Sequence, residues 1–532
     1  MGNGVRDEIH FLLDGELITL RDFDPDTTLL NWLRDTRRRK GSKEGCAEGD
    51  CGACTVVLAE AREDGEPAFY PVNACIRFLP TLDGKMLFTV ESLKALNAGR
   101  LHPVQQAMID CHASQCGFCT PGFVMSLFAL FKTRHRPPRE QIITALSGNL
   151  CRCTGYRPIL DAGERMYDLA AALPPEQQHA LNTPAPATDA SAGPPTIPSS
   201  PAPTRNGTDN PPPDSLPATL QALAQSCHSG FAITHRHRRF LAPASLEALA
   251  QTLLLHPEAR FLAGGTDVGL WVTKQHRNID TLVWPGKVAA LQHITIHDGQ
   301  LVIGANVLLE AAFAAITTHY PQLTELHERF ASLPIRSSGT LIGNIANGSP
   351  IGDSMPPLIT LGATLLLRRG EQLRTLALED FYLGYQQKDL QPGEFAQALQ
   401  LPLPDAALPL QLRCWKISKR FEQDISAVCA AFALTLREQR VDSIRIAMGG
   451  MAAIPRRARH CEAALHGQPW NPATLAHARC ALAQDFSPIS DMRASATYRL
   501  QVAQNLLHRF YLETGPETGN ATVDIHAVEA SA

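Results

Sequence analysis

The chain is short of several things that would have settled its class early. No uncharged apolar stretch reaches the ~18 residues a membrane-spanning helix needs. Met1–Leu20 lacks the basic segment and apolar run of a secretory leader. A cytoplasmic protein without a membrane partner is therefore expected. There is no surplus of one charge either: the formal net charge is −4 and charged residues make up 19%, which gives no general drive towards nucleic acid. The hydrophobic share, 44%, is ordinary for a globular protein. Single cores stop growing near ~250–300 residues, so 532 residues imply several domains.

What is present in quantity is cysteine, fourteen in all. In a reducing compartment these read as metal ligands and buried thiols rather than a disulfide framework. Cys46, Cys51 and Cys54 follow the C-x4-C-x2-C spacing of plant-type [2Fe–2S] proteins, with Cys75 as a more distant fourth thiolate. Gly45, Gly49 and Gly52 give the loop freedom to turn its amides towards a cluster. A second set pairs Cys116-x2-Cys119 with Cys151-x-Cys153. Spacing leaves one ambiguity, because Cys111-x4-Cys116-x2-Cys119 repeats the plant-type pattern and Cys111 could displace Cys151 or Cys153. A zinc-stapled binding module is the alternative of another class, although zinc sites more often show two C-x2-C knuckles. Cys227, Cys414, Cys429, Cys461 and Cys480 have no ligand-like spacing and read as buried structural thiols.

Local patterns organise the rest. Apolar runs on either side of Asp14-Gly15 predict a β-hairpin over 8–20. Thr27 onwards predicts a short helix capped by Asp26 or Thr27. The basic runs Arg37–Lys40 and His235–Arg239 read as solvated faces. From residue 91 the pattern is helical, with Thr120 as an N-cap before Pro121 and a helix opening at Arg157-Pro158. Residues 174–234 form a Pro/Ala-rich linker. Beyond it, Ser245 caps a helix. Ala259–Leu270 reads as strand, glycine turn and helix, without the G-x-G-x-x-G of a Rossmann site. A second glycine-rich loop, Gly339–Asp353, precedes a buried strand expected over Leu358–Leu367.

The motifs Ser114–Gly122 and Gly148–Pro158 resemble the second iron–sulfur domain of the molybdenum hydroxylases, the family of xanthine dehydrogenase, aldehyde oxidase and aerobic carbon monoxide dehydrogenase. The Gly45–Val56 loop is similar to the family's first cluster domain, a β-grasp ferredoxin. The two glycine loops look like its vanillyl-alcohol-oxidase-type FAD domain. The resemblance implies an α+β multidomain chain: a plant-type ferredoxin domain over 1–90, a four-helix [2Fe–2S] domain over 91–173, the linker over 174–234, an FAD domain over 235–410, a CO-dehydrogenase-flavoprotein-like α+β subdomain over 411–515, and a tail over 516–532. It implies Cys46, Cys51, Cys54 and Cys75 as ligands of one [2Fe–2S] cluster and Cys116, Cys119, Cys151 and Cys153 of another, with Cys111 a neighbour. In the family Gln115 approaches the molybdopterin of a partner domain. For FAD it implies Leu262, Ala263, Gly264, Gly265, Thr266, Asp267, Phe330, Ala331, Thr340, Gly343, Asn344, Asn347, Asp353 and Lys416. Asp50 stands where many relatives have glycine.

Nothing after the flavin region has room for a molybdopterin domain. Iron–sulfur and FAD parts fused on one chain resemble the small-subunit arrangement of the xanthine-oxidising branch. That resemblance implies a molybdopterin-binding large subunit as partner, an α2β2 assembly, electron transfer through two [2Fe–2S] clusters to FAD, and NAD+ as acceptor. No general base is expected on this chain. Another N-heterocycle or aldehyde hydroxylase, and an assembly factor, are the other readings.

Overall fold

The computed structural model describes residues 5–62, 65–97, 99–180, 216–405, 407 and 409–515. Most of the expected linker and the tail beyond Gly515 lie outside them. The chain divides into two compact units: one comprises residues 1–241 with 269–280, the other 242–268 with 281–532.

The first unit begins with a five-stranded sheet in the order β2-β1-β5-β3-β4, where β1 is Glu8–Leu13, β2 Glu16–Arg21, β3 Thr55–Ala61, β4 Pro67–Asn73 and β5 Met86–Phe88. Only β1 and β5 run parallel; the other pairings are antiparallel. The expected hairpin is there: Leu13 pairs with Glu16, and Asp14 and Gly15 turn at φ 54° and 81°. Two left-handed residues match the twist of the flanking strands. The cap of the helical turn at Leu29 is Thr28, whose hydroxyl accepts from the Asn31 amide, rather than Asp26 or Thr27.

Four helices follow the short turn at Ser92: Pro103–Asp110, Thr120–Thr133, Arg139–Leu146 and Arg157–Ala171. Thr120 is the first residue of its helix; Cys119 occupies the cap position, with no side-chain bond. Nine consecutive residues of that helix, Gly122–Leu130, are buried. A helix apolar on every side belongs in an interior, and its Phe123 and Phe128 share one core with Val57, Ala59 and Phe88 of the sheet. The linker is shorter than expected. Pro175–Ala180 and Leu216–Ser226 are helices and Phe231–His235 is a strand. Leu216, Leu220, Leu223 and Cys227 explain this, since they complete the same core.

Neither basic run is merely solvated. Arg37 pairs with Glu16, Arg39 with Asp14, and Arg238 with Asp24 and Asp26 at 2.8 and 2.9 Å.

The second unit holds a five-stranded antiparallel sheet, ordered Ile294–His297, Gln300–Gly304, Phe395–Pro402, Thr364–Arg369, Gln372–Ala377. A four-stranded sheet built on Gln411–Ile417, Val428–Arg437 and Arg440–Gly449 packs with the helices Pro472–Asp485 and Ala496–Thr514 around Phe432, Trp470 and Phe510. Ser245 caps Leu246–Leu255 as expected. The expected strand over Leu358–Leu367 begins late: Met355–Thr360 is helical and the strand starts at Thr364. Two prolines in the first helical turn explain the difference, because that position tolerates a missing N–H. Cys227, Cys414, Cys429 and Cys461 are buried as expected, but Cys480 is exposed.

Candidate functional site

Two sets of thiols gather in the first unit. In the first, Cys46 meets Cys51 and Cys75, and Cys75 also meets Cys54. The amides of Glu48 and Cys51 point at the Cys46 sulfur at 3.5 and 3.4 Å. Hydrogen bonds from Cys51 and Cys75 drive the Cys46 thiol far below its ordinary value, while Cys51 and Cys75 are driven up by the same contacts. Clustered sulfurs that cannot all ionise together require a cation to do so. The loop is tight enough that a Cβ on Gly45 would stand 2.9 Å from the Cys51 sulfur. Gly45 keeps an ordinary φ, however; Ala47, Gly49 and Gly52 take the positive values.

In the second set Cys116 and Cys153 approach to 3.5 Å, and Cys119 meets Cys151. The Thr154 amide and hydroxyl reach the Cys151 sulfur at 3.5 and 3.1 Å. Burial, with Cys151 adding to it, pushes the Cys119 thiol up to about 12. Burial, with Asp161 and Asp110 nearby, raises the Cys111 thiol, and no cysteine adds to that shift; it packs against the same apolar core as Cys119 and Cys151.

Among the described residues no three His, Cys, Asp or Glu side chains gather as for a single metal ion. The sulfurs meet in pairs and short chains.

The two sets are joined backbone to backbone. The Leu150 amide donates to the Cys51 carbonyl at 3.0 Å, next to Cys151. Asn149 donates to the Gly52 carbonyl at 3.1 Å and accepts from Ser126 at 2.6 Å. Gly52, at φ 67°, must be glycine for this approach: a Cβ there would lie 2.2 Å from the Gly148 carbonyl oxygen.

The second unit brings the two glycine loops back to back. A Cβ on Gly264 would meet the Ser338 carbonyl at 2.1 Å, and one on Gly343 would meet Ala263 at 3.0 Å. Leu262 is anchored by its amide to Val283 at 2.8 Å. Thr266 lies beside Gly339. Thr340 caps the following turn by accepting from the Gly343 amide at 2.9 Å. Asp267 bonds to Asn347, and burial raises its carboxyl. Asn344 accepts from Ser354 at 2.6 Å. Lys416 and Asp353, 4% and 6% exposed, form an ion pair at 2.5 Å. This distinguishes Lys416 from Lys419 and Arg420, which are themselves exposed and bond to the Met492 carbonyl and to Asp424. The other Asp353 oxygen is buried without a partner. Buried polar atoms seldom go unpaired, so the orphan fits a cradle for a polar cofactor. Phe330 is buried against Phe313 at 4.9 Å, which leaves Ala331 as the more open of the two.

Sequence reading missed Arg336 and Glu310. Burial, which opposes ionisation, is outweighed at Glu310 by His327 and Arg336, which hold its carboxyl at about 2. No spacing signal could have found a pair 26 residues apart.

Four family models match successive stretches of the chain. Residues 11–79 match the 2Fe-2S iron-sulfur cluster binding domain, 89–164 a [2Fe-2S] binding domain, 234–404 the FAD binding domain in molybdopterin dehydrogenase, and 413–514 the CO dehydrogenase flavoprotein C-terminal domain. Xanthine dehydrogenase of Emericella nidulans is 32% identical over 542 residues, covering 95% of this chain and 38% of its own length. Aldehyde oxidase 2 of Cavia porcellus is 30% identical over 551 residues, covering 95% of this chain and 40% of its own. The chain thus spans about two fifths of the length of these curated relatives. Among solved structures, a Cu,Mo-CO dehydrogenase chain is 26% identical with a TM-score of 0.47, covering 51% of this chain and 94% of its own. Quinoline 2-oxidoreductase from Pseudomonas putida 86 gives 27% and 0.46, covering 51% and 94%. With its two iron–sulfur domains, FAD domain and flavoprotein C-terminal domain in one sequence, the chain belongs to the molybdenum hydroxylase family as an iron–sulfur/FAD electron-transfer module.

Proposed function

We propose that this chain is the small subunit of a xanthine dehydrogenase of bacterial type, serving a separate molybdopterin-binding large subunit in an α2β2 assembly in the cytoplasm. The observation that carries the reading is the presence, on one chain, of two hydrogen-bonded thiol quartets and two back-to-back glycine loops. When bound, two [2Fe–2S] clusters and FAD supply one-electron relay and its conversion to hydride donation to NAD+.

The protein's own part is to place and tune. Cys46, Cys51, Cys54 and Cys75 hold one cluster, and Cys116, Cys119, Cys151 and Cys153 the other. Amides of Glu48, Cys51 and Thr154 aimed at sulfur stabilise negative charge there. Residues 262–267 with Thr340, Gly343, Asn344 and Asn347 seat the diphosphate side of FAD. Phe330 and Ala331 would lie beside the flavin and Lys416 near its isoalloxazine, with Asp353 paired to Lys416. On this reading the purine-activating groups belong to the large subunit.

A tagged pull-down from the native host, assayed anaerobically for xanthine-dependent formation of NADH, tests the whole. Co-purification of a molybdenum-containing large chain with NADH formation is expected. A brown, flavin-containing complex that ignores xanthine would keep the electron-transfer role and reject the purine assignment. A colourless protein holding zinc would reject both.

A further inference from the structure

Arg336 is among the largest fully buried side chains of the molecule, 2% exposed. Its guanidinium does more than pair with a carboxylate. Nε donates to Glu310 Oε2 at 2.5 Å. Nη1 lies within 2.9 Å of the Phe330 carbonyl oxygen, 3.3 Å of that of Ala331 and 3.4 Å of that of Glu328. Three carbonyls of one turn therefore converge on one fixed cation. The turn needs such a restraint, because Ala331 sits at φ 47°, in the left-handed region where a Cβ is strained. Strain of this kind persists only where the surroundings over-determine it.

The clamp has a second consequence. A trans peptide points its C=O and N–H in opposite directions. Carbonyls of Phe330 and Ala331 drawn to Arg336 therefore turn the amides of Ala331 and Ser332 away from it. Neither amide donates to another backbone group in the described residues. The buried Ser332 hydroxyl beside them has no partner either. With Phe330 and Ser332 extended on either side of the left-handed Ala331, two consecutive backbone donors are left to meet the acceptor atoms of a ligand.

We propose that Arg336 is a positioning residue for the flavin: by gathering the Glu328, Phe330 and Ala331 carbonyls it holds Ala331 left-handed and presents the Ala331 and Ser332 amides to the acceptor atoms of the bound isoalloxazine. Glu310 fixes the orientation of the guanidinium. The assignment rests on the FAD reading above and deepens it. Lysine cannot replace arginine here, since a point charge on a flexible stem lacks the planar fork.

The test uses the full chain and reads FAD content, FAD dissociation and the flavin visible spectrum, with cluster EPR signals as an independent check on the fold. Arg336→Lys should weaken FAD retention about tenfold or more and shift the flavin absorption bands, leaving both cluster signals intact. Ala331→Gly added to Arg336→Lys should recover several-fold of that loss, because glycine adopts the left-handed turn without a clamp. Arg336→Lys that keeps stoichiometric FAD and an unchanged spectrum overturns the proposal. So does a loss of FAD that Ala331→Gly leaves untouched, since the arginine would then serve the fold rather than the turn. Wild-type chain that binds no FAD sinks the flavin reading itself, and this assignment with it.

Discussion

The two cysteine sets share a unit, a ligand type and a hydrogen-bonded boundary, yet they are built differently. In the first, Cys54 and Cys75 are buried and Cys46 and Cys51 half-buried; in the second, Cys116 and Cys153 are exposed. Cys54 and Cys75 lie on the sheet's own connections, at the start of β3 and the end of β4, among core residues such as Ala53, Ala74 and Ile76. Cys116 and Cys153 lie on loops outside the helix bundle, beside the exposed rings of Phe118 and Tyr156. One set is sealed into a sheet, and the other is presented at the surface.

The largest separation should come from the thiols themselves. Cys75→Ser puts a hydroxyl in a buried site and should remove the first cluster's EPR signal together with thermal stability, by roughly 1–3 kcal/mol for an unsatisfied buried polar group. Cys116→Ser or Cys151→Ser should remove only the second signal. Electron flow from substrate should stop while NADH-to-dye activity survives; loss of both activities would indicate misfolding instead.

Glycine substitutions sharpen the contrast. Gly52→Ala meets the Gly148 carbonyl and a positive φ together, so the joint between the sets should open and the melting temperature fall markedly. Gly117→Ala has a positive φ but nothing within 4 Å of its new Cβ. It should cost only the left-handed strain, about 1–2 kcal/mol, measurable by calorimetry. Equal costs at the two positions would break the comparison. Asn149→Ala, which strands the Ser126 hydroxyl while the Gly52 carbonyl keeps the Thr55 amide and hydroxyl, should cost about 1–3 kcal/mol and broaden both cluster signals.

Removal of iron by a chelator should follow exposure. The signal from the Cys116 set should decay before that from the Cys46 set, and simultaneous loss would contradict the assigned burial difference. The smallest effect belongs to Cys111→Ser. Both EPR signals should persist unchanged, and disappearance of one would return Cys111 to the ligand set.

Much of this was legible in the chain because the signals were local. Cys46-x4-Cys51-x2-Cys54 lies on a single loop, and Asp14-Gly15 sets a two-residue turn whatever surrounds it. Ser245 caps its helix from three residues away. Other features depended on distant partners. Leu216–Ser226 sat in proline-rich surroundings and showed its apolar face only once β3 and the helix Thr120–Thr133 were there to receive it. The run Leu358–Leu367 suits a buried helix or a buried strand equally, and packing divided it between the two.

Ligand chemistry and spacing, the soft thiolates and the glycines that let backbone approach them, were set by the sequence itself, because they act within one loop or turn. Only the tertiary structure showed which thiols approach one another, which are buried and which are exposed, and that Arg336 and Glu310 brace the turn at Ala331. Those outcomes rest on groups far apart in sequence meeting at 3 to 4 Å in a packed interior, where a contact is determined by the whole fold and not by the residues on either side of it.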